Sequence, residues 1–80
     1  MEIRIKTYAG LKGLLGNELT VLSGEVCTIG DLKEKIIEKF PASAPLLCAS
    51  AFVVGDSIVQ PDFLLENGSQ VFLLPPCSGG

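Results

Sequence analysis

From Glu2 to Tyr8 the chain alternates, with Ile3 and Ile5 on one side and Glu2, Arg4 and Lys6 on the other. That period of two predicts a strand buried on one face only. Gly10 to Asn17 interrupts the pattern, and Leu11, Leu14 and Leu15 have the spacing of one short helical turn between Gly10 and Gly16. Strand character resumes from Glu18 to Ser23 through Leu19, Val21 and their polar neighbours. The clearest helix comes next. Thr28 stands at its N-cap, Asp31 lies three residues on in a capping-box position, and Cys27 with Leu32 has the spacing of a hydrophobic staple. Ile29, Leu32, Ile36, Ile37 and Phe40 form one apolar stripe, read as core, with Lys33, Glu34, Lys35, Glu38 and Lys39 outside it. Pro41 disfavours helical geometry at Phe40 and ends the element.

The Pro-, Ala- and Ser-rich stretch from Pro41 to Ser50 reads as a loop. Ala51 to Val54 and Ser57 to Val59 flank Gly55-Asp56, which predicts a tight hairpin. Pro61-Asp62 begins another turn, and Phe63-Leu64-Leu65 leads to Asn67-Gly68, a pair that favours positive φ and reverses the chain into a last strand, Gln70 to Leu74. Alternation there sets Phe72 and Leu74 opposite Val71 and Leu73. The order β-β-α-β-β-β places one main helix beside a small sheet, an α+β class. It predicts one domain over residues 1–74 followed by an extended tail, 75–80.

Composition narrows what such a domain can do. An apolar fraction of 48% with 19% charge argues against disorder. It also exceeds what so small a core hides, so some apolar surface is expected to face a partner. Nine acids against six bases give a net charge of −3, and the bases form no dense run, which argues against nucleic acid or an anionic membrane as partner. No stretch has the length of a membrane span, and the alternating N-terminus is unlike a signal peptide, so the expected location is cytoplasmic. The absence of histidine excludes Ser/His/Asp and Cys/His constellations, and no phosphate-binding glycine motif is present. Three cysteines, Cys27, Cys48 and Cys77, match no metal-binding spacing and are too few to hold an iron–sulfur cluster; no metal site is expected. Cys27 and Cys48 read as small buried residues in a reducing compartment, and Cys77 as an accessible but uninvolved thiol.

The chemistry is expected in the tail, Pro75-Pro76-Cys77-Ser78-Gly79-Gly80. Two prolines fix φ and favour a stiff, extended exit, while Gly79 and Gly80 lack Cβ and allow close approach to another surface. Six residues at about 3.3 Å each reach roughly 20 Å, enough to thread a narrow cleft. A carboxylate on Gly80 is inert as an electrophile until one oxygen becomes a leaving group, so an activating partner is implied and the chain is not a self-sufficient enzyme.

With its β-β-α-β-β-β order, Phe52-Val53-Val54-Gly55-Asp56, Leu65-Glu66-Asn67-Gly68-Ser69-Gln70-Val71 and above all the Pro-Pro-x-x-Gly-Gly ending, the chain resembles the small, sulfur-carrying subunits of molybdopterin synthase. These form the MoaD/ThiS family of the ubiquitin-like β-grasp superfamily, which includes the thiamine sulfur carrier. The resemblance spans essentially the whole chain. It departs at Leu11-Lys12-Gly13-Leu14-Leu15, commonly more charged in the family, and at Cys77, usually apolar. It implies that an ATP-dependent, ubiquitin-activating-type adenylyltransferase adenylates Gly80 and that a sulfur donor converts it to a thiocarboxylate. The large synthase subunit, in a heterotetramer, would then take in the tail, threaded through Pro75, Pro76, Ser78 and Gly79, and pass the sulfur to cyclic pyranopterin monophosphate. It further implies an apolar docking patch of Ile58, Phe72 and Leu74, and no cofactor bound by the chain itself, ATP being used by the activating partner. Conjugation of Gly80 to protein lysines, or sulfur delivery to thiamine or another metabolite, remain open alternatives that use the same activation.

Overall fold

The computed structural model describes residues 1–22, 24 and 28–76. Strand β1, Glu2–Thr7, is followed by a short helix α1, Gly10–Leu15, and strand β2, Glu18–Leu22. The main helix α2 spans Ile29–Lys39. Next come a 3₁₀ turn, Pro41–Ser43, and a short helix α3, Ala44–Cys48. Strands β3, Ala51–Val54, and β4, Ser57–Ile58, form the hairpin, and β5, Gln70–Leu74, closes the sheet. Its order is β2-β1-β5-β3-β4, so the last strand lies at the centre. β5 runs parallel to β1, with Ile5 beside Val71 and Thr7 beside Leu73, and antiparallel to β3, with Phe52 beside Leu73. The expected α+β order is present.

One face of this sheet and α2 make the core. Ile3 and Ile5 of β1, Val21 of β2, Val71 and Leu73 of β5 and Phe52 of β3 are buried with Ile29, Leu32 and Ile36 of the helix. Of the expected stripe, Ile37 and Phe40 are half-buried and pack at its margin. Both halves of the capping box form: the Asp31 N–H donates to Thr28 Oγ1 at 3.1 Å and the Thr28 N–H donates to Asp31 Oδ2 at 3.2 Å. Two further N–H groups of the first turn, on Ile29 and Gly30, donate to the carbonyls of Phe63 and Pro61. This satisfies donors that a helix start leaves open. The expected staple through Cys27, and the end of the second strand at Ser23, lie outside the described residues.

Parallel strands have no hairpin to set their register, and here a turn does it. Gly68, at φ +85°, donates its N–H to the Glu2 carbonyl at 2.7 Å, and Asn67 Oδ1 accepts the Glu2 N–H, also at 2.7 Å. The left-handed conformation that glycine permits thus clamps the entry to β5 onto the start of β1, and the Arg4 N–H then bonds the Ser69 carbonyl. At the other end of β1, the buried Thr7 hydroxyl donates to the carbonyls of Gly16 and Asn17, tying α1 to the sheet.

Two expectations for the middle of the chain are corrected. The stretch from Pro41 to Ser50 is not a loop but the 3₁₀ turn and α3. Pro45 occupies the first turn of α3, where its missing N–H leaves no bond unmade, and Leu47 is fully buried while Ser43 Oγ donates to the Phe40 carbonyl. Cys48 is exposed rather than buried, because Leu47 takes the inward position of this helix and Cys48 turns to solvent. Cys27 lies outside the described residues.

Two substitutions test this account in opposite directions. Thr28→Ala removes the cap and is expected to lower stability by about 1 kcal/mol, read as a fall of about 4 to 8 °C in Tm for a domain this small. Ala9, which precedes α1, has φ 51° and ψ −130°, a backbone region that strains any residue with a Cβ. Ala9→Gly is therefore expected to raise stability by about 1 kcal/mol in urea unfolding.

Candidate docking face and tail root

The face of the sheet away from α2 holds Ile58, Phe72 and Leu74, the three residues expected to form a docking patch. Lys6 of β1 pairs with Phe72 of β5, Phe72 with Val53 of β3, and Val53 with Ile58 of β4, so these four side chains form one row across the sheet. Adjacent strands lie about 4.8 Å apart, which makes the row about 14 Å long. Leu74 and Ala51 form the next row. Ile58 is 66% and Leu74 41% exposed, while Phe72 and Val53 are half-buried. The Tyr8 ring continues the apolar surface, its centroid 6.3 Å from that of Phe72. Val71 and Leu73, one residue out of phase, are fully buried. The strand thus separates a core face from an open one, and Ile58, Phe72 and Leu74 are brought together on the open side.

Toward β2 the same face becomes charged. Glu2, Arg4 and Lys6 of β1 lie beside Leu22, Thr20 and Glu18 of β2. Arg4 Nε is 3.7 Å from Glu2 Oε2, an exposed pair that adds little stability. A partner covering the face would meet an apolar half, on β3, β4 and β5, beside a half of mixed charge.

β5 ends at Leu74, where Pro75 and Pro76 begin the tail. Pro75 is half-buried and Pro76 exposed, and with Leu74 they border an apolar cleft whose other wall is Tyr8, Ala9, Gly10 and Leu46. The remaining tail residues singled out in the sequence, Ser78, Gly79 and Gly80, lie outside the described residues, as does Cys77. Tyr8 and Val53 were not singled out in the sequence, although both lie in the predicted strands Glu2 to Tyr8 and Ala51 to Val54. Leu46 had no such signal, because its helix was read as loop. Among the described residues no group of three carboxylates or thiols is placed to hold a metal ion, and no helix is long and apolar enough to cross a membrane.

Known proteins share this architecture. A family model described as the ThiS family matches residues 5–80. The molybdopterin synthase sulfur carrier subunit of Chlamydomonas reinhardtii is 30% identical over 83 aligned positions, covering 100% of each chain. Among solved structures, a putative molybdopterin converting factor subunit 1 from Pyrococcus furiosus matches with a TM-score of 0.86 at 21% identity, covering 96% of this chain and 99% of that one. SAMP1 from Haloferax volcanii matches with a TM-score of 0.85 at 19% identity, covering 100% of both chains. A complex of subunits 1 and 2 of the molybdopterin-converting factor from Helicobacter pylori matches with a TM-score of 0.71 at 17% identity, again over 100% of both chains. A sheet in this order packed on one helix, shared with these structures, is the ubiquitin-like β-grasp fold, and the chain belongs to the ThiS family.

Proposed function

We propose that this chain is the sulfur carrier of a molybdopterin synthase. The observation that carries the reading is the full-length match, without truncation on either side, to a relative that bears that description. In the proposed cycle a Gly80 carboxylate oxygen attacks the α-phosphorus of ATP in a ubiquitin-activating-type adenylyltransferase, releasing pyrophosphate. A sulfur donor at the level of hydrosulfide then displaces AMP from the acyl carbon and leaves a thiocarboxylate. The tail enters the large synthase subunit, and its sulfur passes to cyclic pyranopterin monophosphate, two carriers serving each dithiolene. Catalytic bases, phosphate contacts and ATP belong to the partners; this chain contributes the tail and the open sheet face that docks it. Glycine at positions 79 and 80 spares both active sites a side chain, and Pro75 and Pro76 reduce the entropy lost on threading.

The face supports this division of labour. An apolar row bordered by charge is suited to a partner that must bind, deliver and release. Replacing Ile58 or Leu74 with Asp is expected to weaken binding to the adenylyltransferase or the large subunit by about 2 kcal/mol, about 30-fold in Kd. Thermal stability should change little, because both side chains already meet solvent. If these variants unfold instead, the residues belong to the core and the docking face lies elsewhere.

The chemical test is mass spectrometry. Incubated with its adenylyltransferase, ATP and sulfide, the protein should gain one sulfur in place of one oxygen, with fragmentation placing the change on Gly80. Cys77→Ser should show the same gain, and a chain lacking Gly80 should show none and should fail to support synthase turnover. With a persulfide donor in place of sulfide, sulfur transferred to the Cys77 thiol with release of the donor thiol would identify a persulfide carrier, and Gly80 joined to lysines would identify a protein modifier; either result replaces the proposal.

A further inference from the structure

The cleft at the root of the tail has a wall that neither the docking face nor the terminal glycines require. Leu46 lines it from α3, half-buried and packed against the margin of the core beside the fully buried Leu47. A Cβ built on Gly10 would lie 3.3 Å from Leu46 Cδ2, so the start of α1 and the side chain of α3 meet closely, and a side chain at position 10 would require the end of Leu46 to yield by a few tenths of an ångström. On the sheet side the cleft is bounded by Tyr8, which rests beside Phe72. Across it lie Leu74, Pro75 and Pro76, and the half-burial of Pro75 against the exposure of Pro76 marks where the tail leaves the domain.

We propose that Leu46, backed by Gly10 and Tyr8, is a positioning residue that selects the direction in which Pro75 and Pro76 carry the tail away from β5. Proline fixes φ at Pro75 and Pro76 and confines Leu74 and Pro75, each preceding a proline, to extended backbone. The remaining freedom at the root is rotation about ψ of Leu74 and Pro75. A branched apolar side chain on one side of Pro75 blocks part of that rotation and rewards the rest by contact. The leverage is large: a swing of about 20° at the root moves a group about 16 Å along an extended chain by about 5 to 6 Å. Acyl chemistry tolerates a misplacement of only about 1 Å before rates fall by about 10²-fold. The kinetic consequence rests on the carrier reading above; the structural one does not.

The test compares the full chain with Leu46→Ala and Leu46→Met, each at a temperature where circular dichroism shows it folded. In the free protein, nuclear Overhauser contacts between the Leu46 methyls and the Pro75 ring are expected, and Leu46→Ala should lower the Cα–Hα order parameters of Pro75 and Pro76 while leaving those of Gln70 to Leu73 unchanged. In adenylation by the activating enzyme, Leu46→Ala should lower kcat about tenfold with KM within about twofold of the parent, since the docking face is untouched. Leu46→Met should restore both readouts. Unchanged order at Pro75 and Pro76 in Leu46→Ala overturns the proposal. So does a loss of turnover that tracks KM or the unfolded fraction and is not restored by Met. If the parent chain is not adenylated at all, the carrier reading fails, and the order parameters alone decide the role of Leu46.

Discussion

The parallel pairing of β1 with β5 is the constraint on which the rest of this molecule depends. It joins the first and last strands of the domain, and the Glu2 backbone, bonded on both sides by Asn67 and Gly68, holds its register. A slip of one residue would turn Val71 and Leu73 out to solvent and press Phe72 and Leu74 against α2. The core, the open face and the root of the tail are therefore set together by one turn. β5 is paired with β1 as far as Leu73 and with β3 as far as Leu74, so strand pairing holds it up to the residue before Pro75.

The two faces of the sheet have opposite tasks. α2 covers one with Ile29, Leu32 and Ile36, together with Leu11 and Leu15 of α1, Leu47 of α3 and Leu65. The other has no covering layer among the described residues, and its apolar half coincides with the strands of the C-terminal part of the chain. That part is also devoid of cations, since no lysine or arginine comes after Lys39, whereas Asp56, Asp62 and Glu66 do. Arg4 and Lys6 stand on the opposite flank of the face. Charge of both signs around an apolar centre orients a partner more than it attracts one, so orientation and register are where electrostatics act on this surface.

How much of the fold was legible in the sequence depends on how local each signal is. The alternation in Glu2–Thr7, the Thr28/Asp31 box and the Asn67-Gly68 turn each rest on residues a few positions apart, and each is found in place. The neighbour of β5 is not a local property. Nothing in Gln70–Leu74 says that it runs parallel to β1, and the structure alone supplies the pairing. The segment after Phe40 misled for a different reason. Proline is read as a breaker, yet at the first turn of a helix it removes a donor that has no partner there, and so Pro45 begins α3 rather than preventing it. Missing that helix hid two facts at once, the outward turn of Cys48 and the place of Leu46 in the wall of the cleft beside Pro75.

The same geometry explains why stiffness is placed where it is. Each freely rotating residue between a folded domain and a reacting group enlarges the volume that group samples, and ordering it on binding costs free energy. Here strand pairing continues through Leu74, and the next two residues are prolines with fixed φ. The freedom removed in advance lies closest to the domain, where a given rotation displaces the end of the tail furthest. A carrier of the kind proposed would visit two active sites with one docking face, and both would meet a tail whose first residues are already stiffened at its root. On this argument the face and the tail are not separable modules: a change that preserves docking but turns the root leaves a protein that binds its partners and misses their chemistry.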